Sequence, residues 1–155
     1  MTLVLHSGDV DKVMAALTIA IGAASMGTET HLMFSFWSTP VLRHGRPPRL
    51  KRSPTERLFG WLLPCGPARL KASRFNMCGL GSWLIRRRMK ARGMLSIEEN
   101  LAIAAELGVH LYVCEASLGV LGLTLDDLID YPGLKSCGVA TFVERAMSTG
   151  QTLFV

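Results

Sequence analysis

The amino-acid sequence predicts an α/β domain built on a mostly parallel sheet. Short apolar runs alternate along the chain with longer helical segments, which is the pattern of βαβ units. The chain has 155 residues, the size of one ordinary domain. Apolar residues make up 49% and charged residues 19% of the sequence. This balance excludes a disordered chain and is sufficient for a core that needs no disulfide or metal.

The first part of the chain predicts two strands that flank one long helix. Residues 2–6 form a short apolar run, and Ser7-Gly8-Asp9 supplies a turn and a helix start with acids near the positive helix end. The helix spans residues 10–26 and stops at Gly27. Residues 29–36 predict the second strand because they combine alternation with an apolar end.

The middle of the chain is irregular, and the second half returns to regular elements. Residues 37–74 hold six of the seven prolines, with a short helix predicted only near residues 55–63. The second half first predicts two helices, one from Gly81 or Ser82 to 91 and one that the Ser96–Glu99 capping box opens and that ends at 107. A strand at 109–113 and a helical turn at 116–120 follow. The last predicted elements are a helix that begins at Thr124, a helix at 138–147 and a strand at 151–155.

Positive charge is concentrated in one segment. Residues 41–92 contain fourteen Lys or Arg and one acid, whereas the rest of the chain is acidic, and the whole carries a net charge of +5. Such a block suits nucleic acid, an anionic membrane surface, an acidic partner or a small anion, and a solvated loop explains it equally well. Aromatic residues are only 7% and are not interleaved with the bases, so we do not predict nucleic-acid binding.

Hydropathy and cysteine usage predict a cytoplasmic protein. The longest apolar run of low charge covers residues 13–27. It is shorter than a membrane-spanning helix, which needs about 20 residues. The chain begins without the basic segment of a signal peptide. Its four cysteines show no paired spacing, which favours a reducing compartment.

Cys114 is the strongest candidate for chemistry. In parallel sheets, sites lie at the carboxyl ends of strands, and this rule selects residues 6–9, 36–38 and 114–117. Cys114 would end a strand, and the next residues would begin a helix, so backbone N–H groups there would stabilise a thiolate nucleophile. Ser117 lies one helical turn further on. The alternative is a buried, inert cysteine, which is common.

Two further groups are weaker candidates. Cys78 precedes a basic helix beside Gly79 and Gly81, whose flexible backbone could approach an anion, so Cys78 is a candidate second thiol. The two glycines match only half of a dinucleotide fingerprint, and we predict no cofactor. His6, followed by Gly8, ends the first strand and is the histidine best placed to neighbour Cys114. No Cys-x-x-Cys pair exists and the histidines show no ligand spacing, so we predict no metal site.

Several segments together resemble the DsrE/DsrF-like family, in its stand-alone branch. They are residues 107–117 (Leu-Gly-Val-His-Leu-Tyr-Val-Cys-Glu-Ala-Ser), Gly122, 126–129 and 138–141, with 6–9, 23–27, 34–37 and 79–81. The resemblance implies a flavodoxin-like three-layer sandwich with about five strands, formed by one domain over residues 1–155 with a basic, Pro-rich insert at about 38–75. It also implies homo-oligomers, trimers or hexamers, and a role in intracellular sulfur relay in which Cys114 accepts sulfur. Where members often have Cys-x-Met-Ser-Met-Asp, this chain has Cys-Glu-Ala-Ser-Leu-Gly.

The resemblance and the residues leave three functional hypotheses. The first is a carrier or sulfurtransferase-like enzyme that moves sulfane sulfur, as persulfide or thiosulfate, from a donor protein to an acceptor protein through Cys114. The second is a non-catalytic interaction or assembly module that docks a partner or an anionic surface through the basic insert and Arg86, Arg87 and Arg88. The third is a thiol redox protein that uses Cys114 together with Cys78.

Overall fold

The computed structural model describes residues 1–44, 64, 66–67, 70–72 and 80–155. These residues form an α/β domain around a five-stranded sheet in the order β4-β3-β2-β1-β5, with every neighbouring pair parallel. The strands are β1 (Thr2–Leu5), β2 (His31–Phe34), β3 (His110–Cys114), β4 (Lys135–Cys137) and β5 (Thr152–Phe154). The predicted flavodoxin-like α/β fold is confirmed.

Helices connect these strands as the alternating pattern predicts. They are α1 (Val10–Ser25), α2 (Leu80–Ala91), α3 (Ile97–Glu106), α4 (Glu115–Leu121) and α5 (Val139–Thr149), with 3₁₀ segments at Phe36–Leu42 and Leu125–Asp127. The predicted capping box opens α3, where the Ser96 hydroxyl accepts from the Glu99 N–H and the Ser96 N–H donates to the Glu99 carboxylate. Within the described residues, no helix combines the length and apolar character that crossing a bilayer requires.

The two faces of the sheet are covered unequally. Alternate strand residues point to opposite faces. One face lies under α1 and α3 and carries the main core, which includes Leu3, Leu5, Phe34, Leu111 and Val113. The other face lies under α5 and carries a smaller buried cluster of Met33, Tyr112, Cys114, Cys137 and Phe142. Cys114 therefore belongs to the thinly covered side.

The helix predicted from Thr124 is wrong. Only one 3₁₀ turn forms, although the Asp127 carboxylate caps it by accepting from the Thr124 N–H and hydroxyl. Leu128 is already extended, pairs with Arg43 and is buried in the main core. Proline at 132 also keeps the preceding residue out of helical geometry. Tertiary burial and this proline end the element that the cap begins.

β4 is the strand that the pattern did not predict. Its three residues, Lys-Ser-Cys, carry no run of β-branched or aromatic side chains. The strand forms because it pairs with β3 at the edge of the sheet, from Tyr112 with Lys135 to Cys114 with Cys137.

The segment after β2 starts inside the domain rather than outside it. Residues 38–42 of the 3₁₀ segment are buried, and Val41 and Leu42 join the main core. The rest of the predicted basic insert, including the helix expected at 55–63, lies mostly outside the described residues.

Candidate functional site

Cys114 lies where β3 ends and α4 begins. It is the last residue of β3 and the N-cap of α4. Its side chain is 3% exposed, on the face of the sheet that α5 covers. Because α4 has only seven residues, its N–H groups act on the sulfur through local hydrogen bonds rather than through a long helix dipole.

The surroundings of Cys114 favour the thiolate. Burial alone raises the pKa of the Cys114 thiol, but hydrogen bonds to the sulfur outweigh this effect and lower the pKa below its ordinary value. The donors are the Ser117 hydroxyl, the N–H groups of Ser117 and Ala116, and the Ser35 hydroxyl. A lowered pKa increases the fraction of the nucleophilic form at neutral pH.

Ser117 connects the thiol to the turn that follows β2. Its side chain is fully buried, and its hydroxyl oxygen accepts a hydrogen bond from the Phe36 N–H over 2.8 Å. The Ser35 and Ser117 hydroxyl oxygens lie 3.4 Å apart. Phe36 has a φ of 47°, in the left-handed region that few side chains occupy. The Ser117 bond thus holds this turn against the start of α4.

Ser35 and Cys137 also lie near Cys114, although neither is expected there from the sequence. Cys137 ends β4 in direct register with Cys114 on β3, and both thiols are free and buried. Burial raises the pKa of the Cys137 thiol, and the charges of Cys114 and Glu115 raise it further, against a lowering effect of Arg145. Only the strand order, with β2 and β4 on either side of β3, brings these residues to Cys114.

His6 is not the neighbour of Cys114 that we expected. It follows β1, and β2 lies between β1 and β3, so two strand spacings of about 4.8 Å separate the two strand ends. The His6 ring instead contacts the rings of Phe36 and Phe154, at centroid distances of 5.6 and 6.1 Å. His6 and Cys114 thus lie at the same end of the sheet, as the strand-end rule predicts, but β2 separates them.

Gly8 has a packing role that the structure makes explicit. A Cβ built on Gly8 would overlap the carbonyl oxygen of Trp37. The turn after β1 and the 3₁₀ segment after β2 therefore approach each other at a point where only glycine fits.

The glycine-rich candidates lie elsewhere or outside the described residues. Cys78 and Gly79 are not among the described residues. Gly81 lies in the first turn of α2, whose Met89 packs against the main core on the face opposite Cys114. Arg86 of α2 donates hydrogen bonds to the carbonyl oxygens of Pro67 and Leu70. It also lines a groove of about 610 Å³ on that same opposite face.

Two histidines that are distant in sequence meet at the other end of the sheet. His31 and His110 are in register on β2 and β3, and their rings stack at 5.2 Å. The Glu29 carboxylate lies 3.3 Å from His31 Nε2 and 3.9 Å from His110 Nε2. The three groups are close enough to be considered as metal ligands. However, burial lowers the pKa of His31, and the positive charges of Arg145 and the amino terminus lower it further, against a raising effect of Glu29. The same positive charges disfavour a bound cation.

Comparisons with known proteins agree on one family. The model of the DsrE/DsrF/DrsH-like family matches residues 1–154. The uncharacterized protein YrkE of Bacillus subtilis is 34% identical over 154 residues, covering 99% of this chain and 95% of its own. The sulfur carrier protein DsrE2 of Allochromatium vinosum is 24% identical over 159 residues, covering 100% and 97%.

A solved structure shows the same fold. The crystal structure of the ychN protein from E. coli superposes with a TM-score of 0.57 over 99% of this chain and 97% of its own. The two sequences are only 12% identical, so this similarity concerns the fold alone.

Proposed function

The chain belongs to the DsrE/DsrF/DrsH-like family, and from this premise we propose that it carries sulfane sulfur as a persulfide on Cys114. The family match and the similarity to a sulfur carrier protein support a role in sulfur relay. The observation that carries the finer proposal is the position of Cys114 at the junction of β3 and α4, where the Ser117 and Ser35 hydroxyls and the first N–H groups of α4 lower the pKa of its thiol.

The proposed reaction begins with attack by the Cys114 thiolate on a sulfane sulfur donor. One S–S bond forms as the donor's bond breaks, and the donor's remaining group leaves with the electron pair. The charge of the persulfide anion moves to the outer sulfur, one bond away from Cys114 Sγ. The Ser117 and Ser35 hydroxyls, which lower the pKa of the Cys114 thiol, would therefore stabilise the attacking thiolate rather than the finished persulfide. Attack by the thiol of an acceptor protein on the outer sulfur then regenerates Cys114.

The exposure of Cys114 limits which donors can load it. Because the side chain is 3% exposed, a donor must displace part of the cover or present a narrow sulfur chain. A polysulfide, a thiosulfate or a persulfide at the tip of a partner loop meets this requirement. Bulky thiol reagents should react more slowly than small ones for the same reason.

We also propose a cytoplasmic, homo-oligomeric carrier that meets separate donor and acceptor proteins. The two described cysteines are free thiols, which suits a reducing compartment. Val139, Val143 and Met147 lie along one side of α5 at intervals of four residues, and all three are exposed, Met147 by 81%. Phe154 on the edge strand β5 is also exposed, by 73%. Apolar side chains in such a series favour burial against another subunit or a partner.

The docking alternative receives less support from the described residues. Arg86, one of its three arginines, already binds backbone carbonyl oxygens of Pro67 and Leu70. Arg87 lies 5.3 Å from the centre of the Trp83 ring. The bonds of Arg86 give that side chain a structural role, so its charge is less available for a partner, whereas Arg87 and Trp83 are both exposed.

The test of the carrier proposal is sulfur loading followed by peptide mass mapping. The reduced protein is treated with inorganic polysulfide, desalted and offered a thiol acceptor. We expect a gain of sulfur at Cys114 that disappears when the acceptor receives it, and no such gain in Cys114→Ser. Ser82→Ala, which changes a buried serine on the other face, serves as the control and should load normally. Full loading of Cys114→Ser at any other position would refute the assignment.

A further inference from the structure

We propose that Cys137 is the second thiol of this site and that it discharges an unclaimed persulfide on Cys114 as hydrosulfide, leaving a Cys114–Cys137 disulfide. This inference rests on the proposed function, because it needs sulfur on Cys114. It gives a role to a cysteine that neither its sequence context nor the family comparisons single out.

The register of the sheet places the two thiols side by side. Cys114 and Cys137 are paired residues on the adjacent parallel strands β3 and β4. Paired residues on neighbouring strands are about 4.8 Å apart, within the Cα separation of about 4.4–6.8 Å that a disulfide spans. Both side chains point to the same face and belong to one buried cluster with Met33, Tyr112 and Phe142.

The position of β4 allows the small movement that bond formation needs. In a disulfide the two Cβ atoms are typically about 3.8 Å apart. The Cβ atoms of residues in register on parallel strands lie slightly farther apart than this. β4 is an edge strand of three residues, and Cys137 is its last residue, followed by Gly138 at the start of α5. A strand with one neighbour and so few ladder bonds can shift by about an ångström without disturbing the rest of the sheet.

The burial of both thiols leaves Cys137 as the nearest described partner of a persulfide on Cys114. Cys114 is 3% exposed and Cys137 is 8% exposed, so a persulfide formed on Cys114 is shielded from solvent thiols but not from its neighbour. Burial and the neighbouring charges raise the pKa of the Cys137 thiol, which slows its attack because the thiolate is the nucleophile. The step is therefore a slow discharge, in which the Cys137 proton passes to the outer sulfur.

The discharge step balances without an added oxidant. The Cys137 proton passes to the outer sulfur, and the resulting Cys137 thiolate attacks the inner sulfur, Cys114 Sγ, to form the Cys114–Cys137 S–S bond. The bond between Cys114 Sγ and the outer sulfur breaks, and the outer sulfur leaves with the electron pair and with the Cys137 proton as hydrosulfide. The outer sulfur is thus reduced by two electrons, and the two cysteine thiols are together oxidised to the disulfide. An external dithiol reductant then restores both thiols.

The experiment compares the decay of the persulfide in matched cysteine variants of the full chain. Wild type, Cys137→Ser and Cys78→Ser are loaded with polysulfide, desalted and followed without acceptor by intact mass, peptide mapping and sulfide release. We expect wild type and Cys78→Ser to lose the added sulfur, release one equivalent of hydrosulfide and show a Cys114–Cys137 disulfide that dithiothreitol reverses. Cys137→Ser should retain its persulfide roughly ten times longer or more, because the intramolecular thiol has been removed. Cys137→Ala, which suits the apolar cluster, replaces Cys137→Ser if circular dichroism shows that the serine variant is unfolded.

The outcomes separate this inference from the carrier proposal. Equal persulfide lifetimes in wild type and Cys137→Ser would overturn the inference and leave the carrier proposal intact. Sulfur found on the side chain of Cys137, or a disulfide that joins Cys114 to Cys78, would also overturn the inference. If folded wild type and Cys137→Ser both fail to take up sulfur from polysulfide, the carrier proposal itself fails, and this inference fails with it.

Discussion

Replacing Ser117 by alanine tests the chemical argument for Cys114 most directly. The substitution removes one hydroxyl from a fully buried position that accepts from the Phe36 N–H and bonds to the Cys114 sulfur. Two separate losses follow. The Phe36 N–H is left without this acceptor, which should cost about 1–3 kcal/mol of the free energy of unfolding. The thiolate loses one hydrogen-bond donor, so the pKa of Cys114 should rise.

The size of the kinetic effect can be estimated from the same bond. A hydrogen bond to a charged group contributes about 1.5–3 kcal/mol, and about 1.4 kcal/mol corresponds to a factor of ten. The thiolate fraction should therefore fall by about one to two powers of ten wherever pH lies below the Cys114 pKa. A more basic thiolate is also a better nucleophile, with a Brønsted coefficient of about 0.4–0.5. The net expectation for Ser117→Ala is a reaction about 3- to 16-fold slower.

The assay is the rate of alkylation of Cys114 as a function of pH, measured by peptide mapping with a small neutral reagent. The rate profile of Ser117→Ala should be displaced to higher pH, since the hydrogen bond that lowers the pKa is absent. Ser82→Ala is the matched control, because Ser82 is also a buried serine whose hydroxyl accepts a backbone N–H, from Ala72 over 2.9 Å. If folded Ser117→Ala shows the wild-type profile, the hydrogen-bond explanation of Cys114 reactivity is wrong.

Two further substitutions test the supporting structure. Gly8→Ala forces a Cβ into the Trp37 carbonyl oxygen and should lower the free energy of unfolding by about 1–3 kcal/mol; an unchanged denaturant midpoint would show that the two turns separate easily. Tyr131 donates to the Val109 carbonyl oxygen over 2.7 Å, and burial raises its pKa to about 12. Because the folded state favours the protonated phenol, its contribution is complete below the ordinary pKa of about 10 and is lost as pH rises through about 12. Tyr131→Phe should lose about 1–2 kcal/mol at neutral pH and lose this alkaline dependence, which thermal denaturation at several pH values would measure.

The sequence predicts the candidate thiol and its neighbouring hydroxyl because both lie on one short segment. Cys114 and Ser117 are three residues apart, so the strand-to-helix transition alone places the hydroxyl near the sulfur. Ser35, which follows β2, and Cys137, which ends β4, could not be found in this way, because both are distant from Cys114 in sequence. Their proximity depends on strand order and register, which alternation of apolar residues does not determine.

Two other differences have the same origin. β4 has no local β signal and exists because β3 offers it an unpaired edge. His31 and His110, which have no ligand spacing in the sequence, stack because β2 and β3 pair in register. Local patterns therefore identify elements, whereas pairing between elements decides which side chains share a site.

The short length of β4 makes the pairing of the two cysteines sensitive to insertions and deletions. Successive strand residues face opposite sides of a sheet, so a shift of one position reverses every side chain. The side chain of Tyr131 is anchored in the main core, six residues before Cys137. Inserting one residue between them would place Ser136 opposite Cys114, and deleting one would place Gly138 there. The thiols would then lie on different faces although every cysteine was retained. In related chains, the number of residues in this connection is therefore as informative as the presence of a cysteine at its end.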